Sequence, residues 1–192
     1  MMILPSRAAL VAAMSAMASV LLLTGCASND EPAPAVPASV IHTVPTDLCD
    51  RIDYTIANPA FREAMPIPPK DLDRGPDFRC AQGFFGGDGY AGGFVTARVQ
   101  TFGSRDEART GFERSAPAST AQPFEGGSDI VADAVRYQNV SEEDTKVEVL
   151  DANVIVEVRL TAPNPVSDEQ APQLPPASVK IAIQTLELIR SS

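Results

Sequence analysis

Tryptophan is absent from this sequence, histidine occurs once, and cysteine occurs three times. Positive charge is scarce as well: 15 Lys and Arg stand against 25 Asp and Glu, a net charge of −10. No apolar run reaches the roughly 20 residues that a membrane-spanning helix needs. Each shortage excludes something. A protein that grips phosphates needs a basic face, so nucleic acid is not the expected partner. A single histidine removes most histidine-based catalytic and metal sites, and neither a cofactor nor a metal is expected. What is present is ordinary for a folded protein, with 44% hydrophobic and 21% charged residues in 192 positions. The length suits one domain with appendages.

Residues 1–25 read as an export signal. One positive charge, Arg7, precedes an apolar run from Ala8 to Leu23 that only Ser15 and Ser19 interrupt. The run is too short to span a bilayer and ends in small residues, the pattern of a cleaved leader. Leu23-Thr24-Gly25-Cys26 resembles the bacterial lipobox, in which the cysteine thiol takes diacylglycerol and the chain is cut just before it. That resemblance implies a mature chain beginning at a lipidated Cys26, anchored to the cell membrane on its extracytoplasmic face. Loss of Arg7 leaves 14 basic against 25 acidic residues, a charge of −11. Anionic headgroups repel such a domain, so the acyl chains must do the anchoring.

Residues 26–45 carry Pro32, Pro34, Pro37 and Pro45 among small and polar residues without apolar periodicity. This predicts a semi-extended tether of at most about 60 Å. His42, which falls here, is expected to be a solvated linker residue.

Residues 46–192 are long enough to bury a core of their own. A helix capped by Thr46 is expected, with Leu48, Ile52 and Ile56 on one face and an end near Asn58-Pro59. A segment broken by Pro66, Pro68 and Pro69 follows, expected to be irregular. Two strands are predicted between Phe78 and Phe102, around Gly86 to Gly93, with Val95, Ala97, Val99 and Thr101 on one face. Ser104-Arg105-Asp106-Glu107 has the form of a capping box, opening a helix with Ala108, Phe112 and Ala116 aligned. Val135–Val140 reads as a strand. Lys146–Leu150 and Val154–Leu160 read as a hairpin around Asp151-Ala152-Asn153. A proline-rich loop (Pro163, Pro165, Pro172, Pro175, Pro176) leads to a last helix with a stripe of Val179, Ala182, Ile183, Leu186 and Ile189. No internal repeat is evident. The order lacks repeated βαβ units and predicts an α+β fold, an antiparallel sheet covered by helices.

With Cys26 assigned to lipid, Cys49 and Cys80 remain. In an oxidising exterior two such cysteines usually pair, pinning the first helix to the first long strand. Two free or metal-bound thiols are the alternative, and a metal would need further ligands that a domain without histidine supplies poorly.

Lipobox, Pro/Ala tether, Asp47-Leu48-Cys49, Arg79-Cys80-Ala81, Gly126 to Ala134, an acid-Ala-Asn hairpin tip and a C-terminal apolar helix together form a pattern. Over roughly residues 46–190 the chain resembles the actinobacterial extracytoplasmic lipoprotein family labelled domain of unknown function 3558. It is similar more distantly to mycobacterial Lpq/Lpr-type lipoproteins with a PsbP/Mog1-like sandwich. Where that family often has Trp two residues after the second Cys, Gln82 stands here. The resemblance implies a fold and an address, and brings no catalytic residues.

Five patterns invite chemistry, and each has a plainer reading. Gly86 to Gly93 lacks the Gly-Lys-Ser/Thr of a phosphate cradle and suits a hairpin loop. Asp71, Asp73, Gly75 and Asp77 hint at calcium, yet Gly75 and Gln82 occupy the wrong places for an EF-hand, so a solvated acidic loop is expected. Glu142, Glu143 and Asp144 read as a solvated turn before a strand rather than paired catalytic acids. Ser128 has no nucleophile elbow. Asn139-Val140-Ser141 has the form of a glycosylation sequon, idle in a bacterial lipoprotein. The expected function is therefore a lipid-anchored, non-catalytic binding or accessory module engaging an envelope ligand or protein partner. The alternative is a tethered carboxylate-dependent hydrolase acting on cell-wall material.

Overall fold

A computed structural model describes residues 40–61, 63–65, 70–73, 77–85, 91–115, 130–163 and 165–192. The leader, Cys26, Ser128 and the Gly86–Tyr90 part of the glycine-rich stretch lie outside the described residues. The described residues all belong to one compact unit, Val36–Ser192.

Alternating apolar and polar residues make long antiparallel strands here because successive side chains point to opposite faces. Strands β3 (Asp77–Phe85) and β4 (Ala91–Thr101) pair as a hairpin, while β5 (Ala134–Ser141), β6 (Asp144–Asp151) and β7 (Val154–Thr161) form a meander. Pairing of β4 with β7 joins the two sets. The short strands β1 (Glu63–Ala64) and β2 (Lys70–Asp73) both add to β3. The sheet order among described residues is β1-β3-β4-β7-β6-β5, every pair antiparallel. With the three α-helices among the described residues this is an α+β fold.

Register decides which face is core. Cys80, Ala97, Val158 and Val147 are neighbours across four strands, as are Phe78, Val99, Val156 and Val149, and all eight are buried. Helix α3 (Leu174–Arg190) covers this face with Leu174, Ile181, Ala182, Leu186 and Ile189. Each such side chain removed from water contributes roughly 1.5–3 kcal/mol. On the other face Leu150 and Ile155 form a smaller cluster with Ala108 and Phe112 of α2 (Arg105–Arg114). Ser104 caps α2 as the sequence predicts, its side chain accepting from the Glu107 N–H at 3.2 Å. The Glu107 carboxylate reaches back one residue further than in the standard box, to the Gly103 N–H at 3.0 Å.

Three expectations need correction. The first helix, α1, covers only Leu48–Arg51 and its cap position is Asp47, not Thr46. Asp53 stops it: its carboxylate accepts from the Thr55 N–H and hydroxyl, and a separate 3-10 turn runs over Tyr54–Ala57. A short polar side chain here outcompetes the helical backbone bond. Of the segment expected to be irregular, Glu63–Ala64 forms β1, while Pro66, Pro68 and Pro69 lie outside the described residues. The proline-rich loop ends earlier than expected, because Pro175 and Pro176 lie inside the first turn of α3, where their missing N–H groups have no helical partner to lose.

Cys49 on α1 and Cys80 on β3 are joined by a disulfide, with Cα atoms 5.3 Å apart. Where β4 crosses β7, glycine is required at residue 93. Its φ is +153°, and a Cβ there would stand 2.3 Å from the Thr161 carbonyl and 2.5 Å from the Phe61 ring.

Candidate functional site

A concavity among the described residues lies where β5 turns into β6. The ladder slips between Asn139 and Ser141, and Glu142-Glu143 make the turn. Asp144 then enters β6 with its carboxylate nearly buried, accepting from Arg159 Nε at 2.8 and 2.9 Å and from the Arg159 Nη2. The Ala162 N–H donates to the Glu143 carbonyl at 2.7 Å, drawing the chain after β7 against this turn. Gln170 holds the segment that follows. It exchanges hydrogen bonds with Ser167 and donates from Nε2 to the Ala60 carbonyl at 3.1 Å.

Between the turn and this segment is a cleft of about 640 Å³. Val140, Val166, Ala171 and Pro175 supply its apolar lining, and Asn139, Ser141, Thr145, Glu142, Ser167 and Asp168 the polar part. Two polar atoms of these residues are closed off from solvent and have no hydrogen-bond partner: Asn139 Oδ1 and the Thr145 hydroxyl. Thr145 is only 2% exposed. Its position is telling, because it shares a strand face with Val147 and Val149 and pairs with Leu160, so a hydroxyl stands where the pattern asks for a hydrocarbon. Glu142 and Asp168 are exposed, and no Lys or Arg among the described residues lines the cleft.

At the other end of β6 a second polar cluster ties down the incoming chain. The His42 N–H donates to Asn153 Oδ1 at 2.7 Å, Asn153 Nδ2 donates to the His42 carbonyl at 3.2 Å, and His42 Nε2 lies 2.9 Å from Asp151 Oδ2. The His42 side chain is 10% exposed, which corrects the expectation of a solvated linker residue. Arg190, at the end of α3, grips Asp151 with two bonds of 2.9 Å. Burial alone would push the Asp151 pKa up. Arg190, by hydrogen bond and charge, and His42 outweigh it and hold the carboxyl below its ordinary value.

The other sequence candidates separate. Asp71 and Asp73 belong to β2 rather than to a loop, while Asp77 opens β3 and accepts from Arg98. That hydrogen bond is the main reason its pKa is lowered. Glu142, Glu143 and Asp144 do not act together either: the first faces water, the third is locked to Arg159, and Glu143 is lowered by a hydrogen bond from the Ser141 side chain. The expectation of a uniformly solvated acidic turn is thus wrong for Asp144. Asn139 of the sequon lines the cleft. Glu148 and Glu157 face each other across β6 and β7, an acidic pair that sequence reading missed, but Lys146 lies between them at 3.3 and 4.0 Å. Arg136 and Gln138 also bond Glu148, at 3.0 and 3.1 Å.

No family model, curated protein or solved structure matches this chain.

The arrangement can therefore be judged only on its chemistry. Among the described residues no three His, Cys, Asp or Glu side chains gather in a metal-binding group, and no helix is long and apolar enough to cross a membrane. The cleft combines an apolar lining with a few polar side chains, which is how small-molecule sites are built.

Proposed function

We propose that this chain is a lipid-anchored lipoprotein of the cell envelope, held at Cys26 on the extracytoplasmic face, and that it works as a non-catalytic binding or accessory module. Its ligand sits in the cleft beside the β5–β6 turn. The observation that carries this reading is a cavity of about 640 Å³ that joins an apolar lining of Val140, Val166, Ala171 and Pro175 to polar side chains of the β5–β6 turn. The lipobox-like Leu23-Thr24-Gly25-Cys26 supports the anchor, and the family resemblance supports the address. The hydrolase reading has less behind it. A carboxyl group that acts as general acid needs an apolar setting, whereas the cleft acids Glu142 and Asp168 are exposed and Asp144 is engaged by Arg159.

The test is native mass spectrometry of the full chain, extracted from its own membranes in mild detergent. The wild type should carry a small molecule in chemically unchanged form, and Ala171→Trp, which fills the cleft, should lose it. Equal retention by both proteins would overturn the assignment of the cleft. Turnover of the bound compound, abolished when Glu142, Glu143 and Asp144 are all changed to Ala, would establish the hydrolase instead.

A further inference from the structure

We infer that the end of the domain where the chain enters is a seat for the bilayer surface, an inference that rests on the anchor at Cys26. Among the described residues five large apolar side chains stand exposed: Val40, Ile41, Phe94, Val131 and Val140. Three of them gather at the β6–β7 tip. Ile41 precedes His42, which lies 2.9 Å from Asp151, and Arg190, which grips Asp151, also donates to the Val131 carbonyl at 2.6 Å. Val40 and Ile41 line a small hollow of about 220 Å³ with Arg105 and Asn153. These three are the most exposed of the five, at 59%, 63% and 78% for Val40, Ile41 and Val131. Val131 is turned outward because its neighbours Ile130 and Ala132 pack against the core. The polar groups beneath are already paired: His42 with Asn153, Asp151 with Arg190, and Arg105 with Asp133. Pressing paired groups against a dehydrated surface costs less than stripping water from free ones.

The length of the chain names the occupant. Val40 stands 14 positions after Cys26, a separation of at most about 43 Å as polyproline II. A membrane that holds Cys26 is therefore always within reach of this end, whereas a soluble partner must arrive by diffusion. Tethering of this kind gives an effective concentration in the millimolar range, at which a contact too weak to hold a free domain is well populated. Three aliphatic side chains make such a contact, as the apolar face of an interfacial segment does. Charge sets its limit. The −11 of the mature chain opposes an anionic surface, and Asp106 is exposed beside the hollow. Salt confines that repulsion to about 8 Å at physiological ionic strength. Arg105 and Arg190 stand beside the apolar side chains as local counterweights. The anchor carries the attachment, and the seat fixes the pose.

The experiment uses the lipidated full chain, purified from its own membranes and reconstituted in phosphatidylcholine vesicles that carry a nitroxide at headgroup depth. Val131→Cys, and Val140→Cys beside the cleft as the comparison, each bear a fluorophore. The nitroxide should quench the label at position 131 several-fold more strongly than the label at position 140. Val40→Asp with Ile41→Asp, both at exposed positions, should bring the two labels level while the protein still floats with the vesicles. Vesicles of equal parts phosphatidylcholine and phosphatidylglycerol should weaken the quenching at low salt and restore it at physiological salt. Equal quenching of the two labels in the chain that keeps Val40 and Ile41 overturns the seat and leaves the anchor standing. Protein that does not float with the vesicles removes anchor and seat together. A label at position 131 that is shielded without lipid quenching, and is freed when the protein is diluted in lipid, gives the patch to a second copy of the chain and overturns the seat as well.

Discussion

Asp151 shows how much one carboxylate can be asked to hold. It receives two bonds from Arg190 and one contact from His42, and with Asn153 it fixes the incoming chain to the β6–β7 tip. Ala152 beside it adopts φ 49°, a left-handed conformation tolerated because its N–H donates to Asp133 Oδ2 at 2.9 Å and the tip is held from three sides. Because the folded pKa of Asp151 lies below the unfolded value of about 3.9, the unfolded chain binds its proton more readily. The stability it contributes is complete above about pH 5 and drains away as pH falls through 4 and toward the folded pKa. Asp77, lowered by Arg98, titrates in the same direction. Asp151→Asn should cost about 1–2 kcal/mol at pH 7, since a half-exposed pair is discounted for screening. It should also flatten the loss of stability between about pH 5 and 3. Urea denaturation across that range measures both; an unchanged acid slope would remove Asp151 from the account.

At the level of elements, the disulfide joins the shortest helix to one of the longest strands. α1 has four residues, too few to persist alone, so Cys49–Cys80 and the burial of Leu48 and Ile52 must keep it in place. In the chain-entropy model a closed loop with a separation of 31 residues contributes on the order of 3.5 kcal/mol. Replacing both cysteines by Ala should lower stability by about 2–4 kcal/mol without moving the sheet. Hydrogen exchange should rise first in α1 and in the Tyr54–Ala57 turn. Exchange that rises equally in β6 and β7 would show the bridge holding the whole core instead. The long strands, α2 and its cap were legible in the sequence because period-two alternation and the Ser104–Glu107 pair are local signals. The break at Asp53 was not, since an aspartate in a helical pattern declares itself only when its carboxylate finds Thr55. Nor was the cleft: Thr145 and Ala171 come to line one cavity through the docking of the segment after β7, and no local period encodes that. The one available clue was a threonine in the apolar register of β6.

For the whole molecule, charge and anchor oppose each other. A mature chain of charge −11 has no electrostatic reason to stay on an anionic bilayer, so lipid at Cys26 would carry the entire attachment. In detergent-phase partitioning the native protein should enter the detergent phase. Cys26→Ala should remain aqueous or retain its leader, and added salt should release neither fraction of the wild type. Identical partitioning and processing of the two forms would remove the anchor.

His42 is clasped at the Asp151 end of β6, while Thr145 and the cleft lie at the other, about 20 Å along the strand. The described chain therefore enters the folded unit at the end of β6 remote from the cleft. If the proposed anchor at Cys26 holds, what is tied down and what is open to a ligand are opposite ends of one strand, so lengthening the chain before Val40 would change the reach of the domain and leave the lining of the cleft untouched.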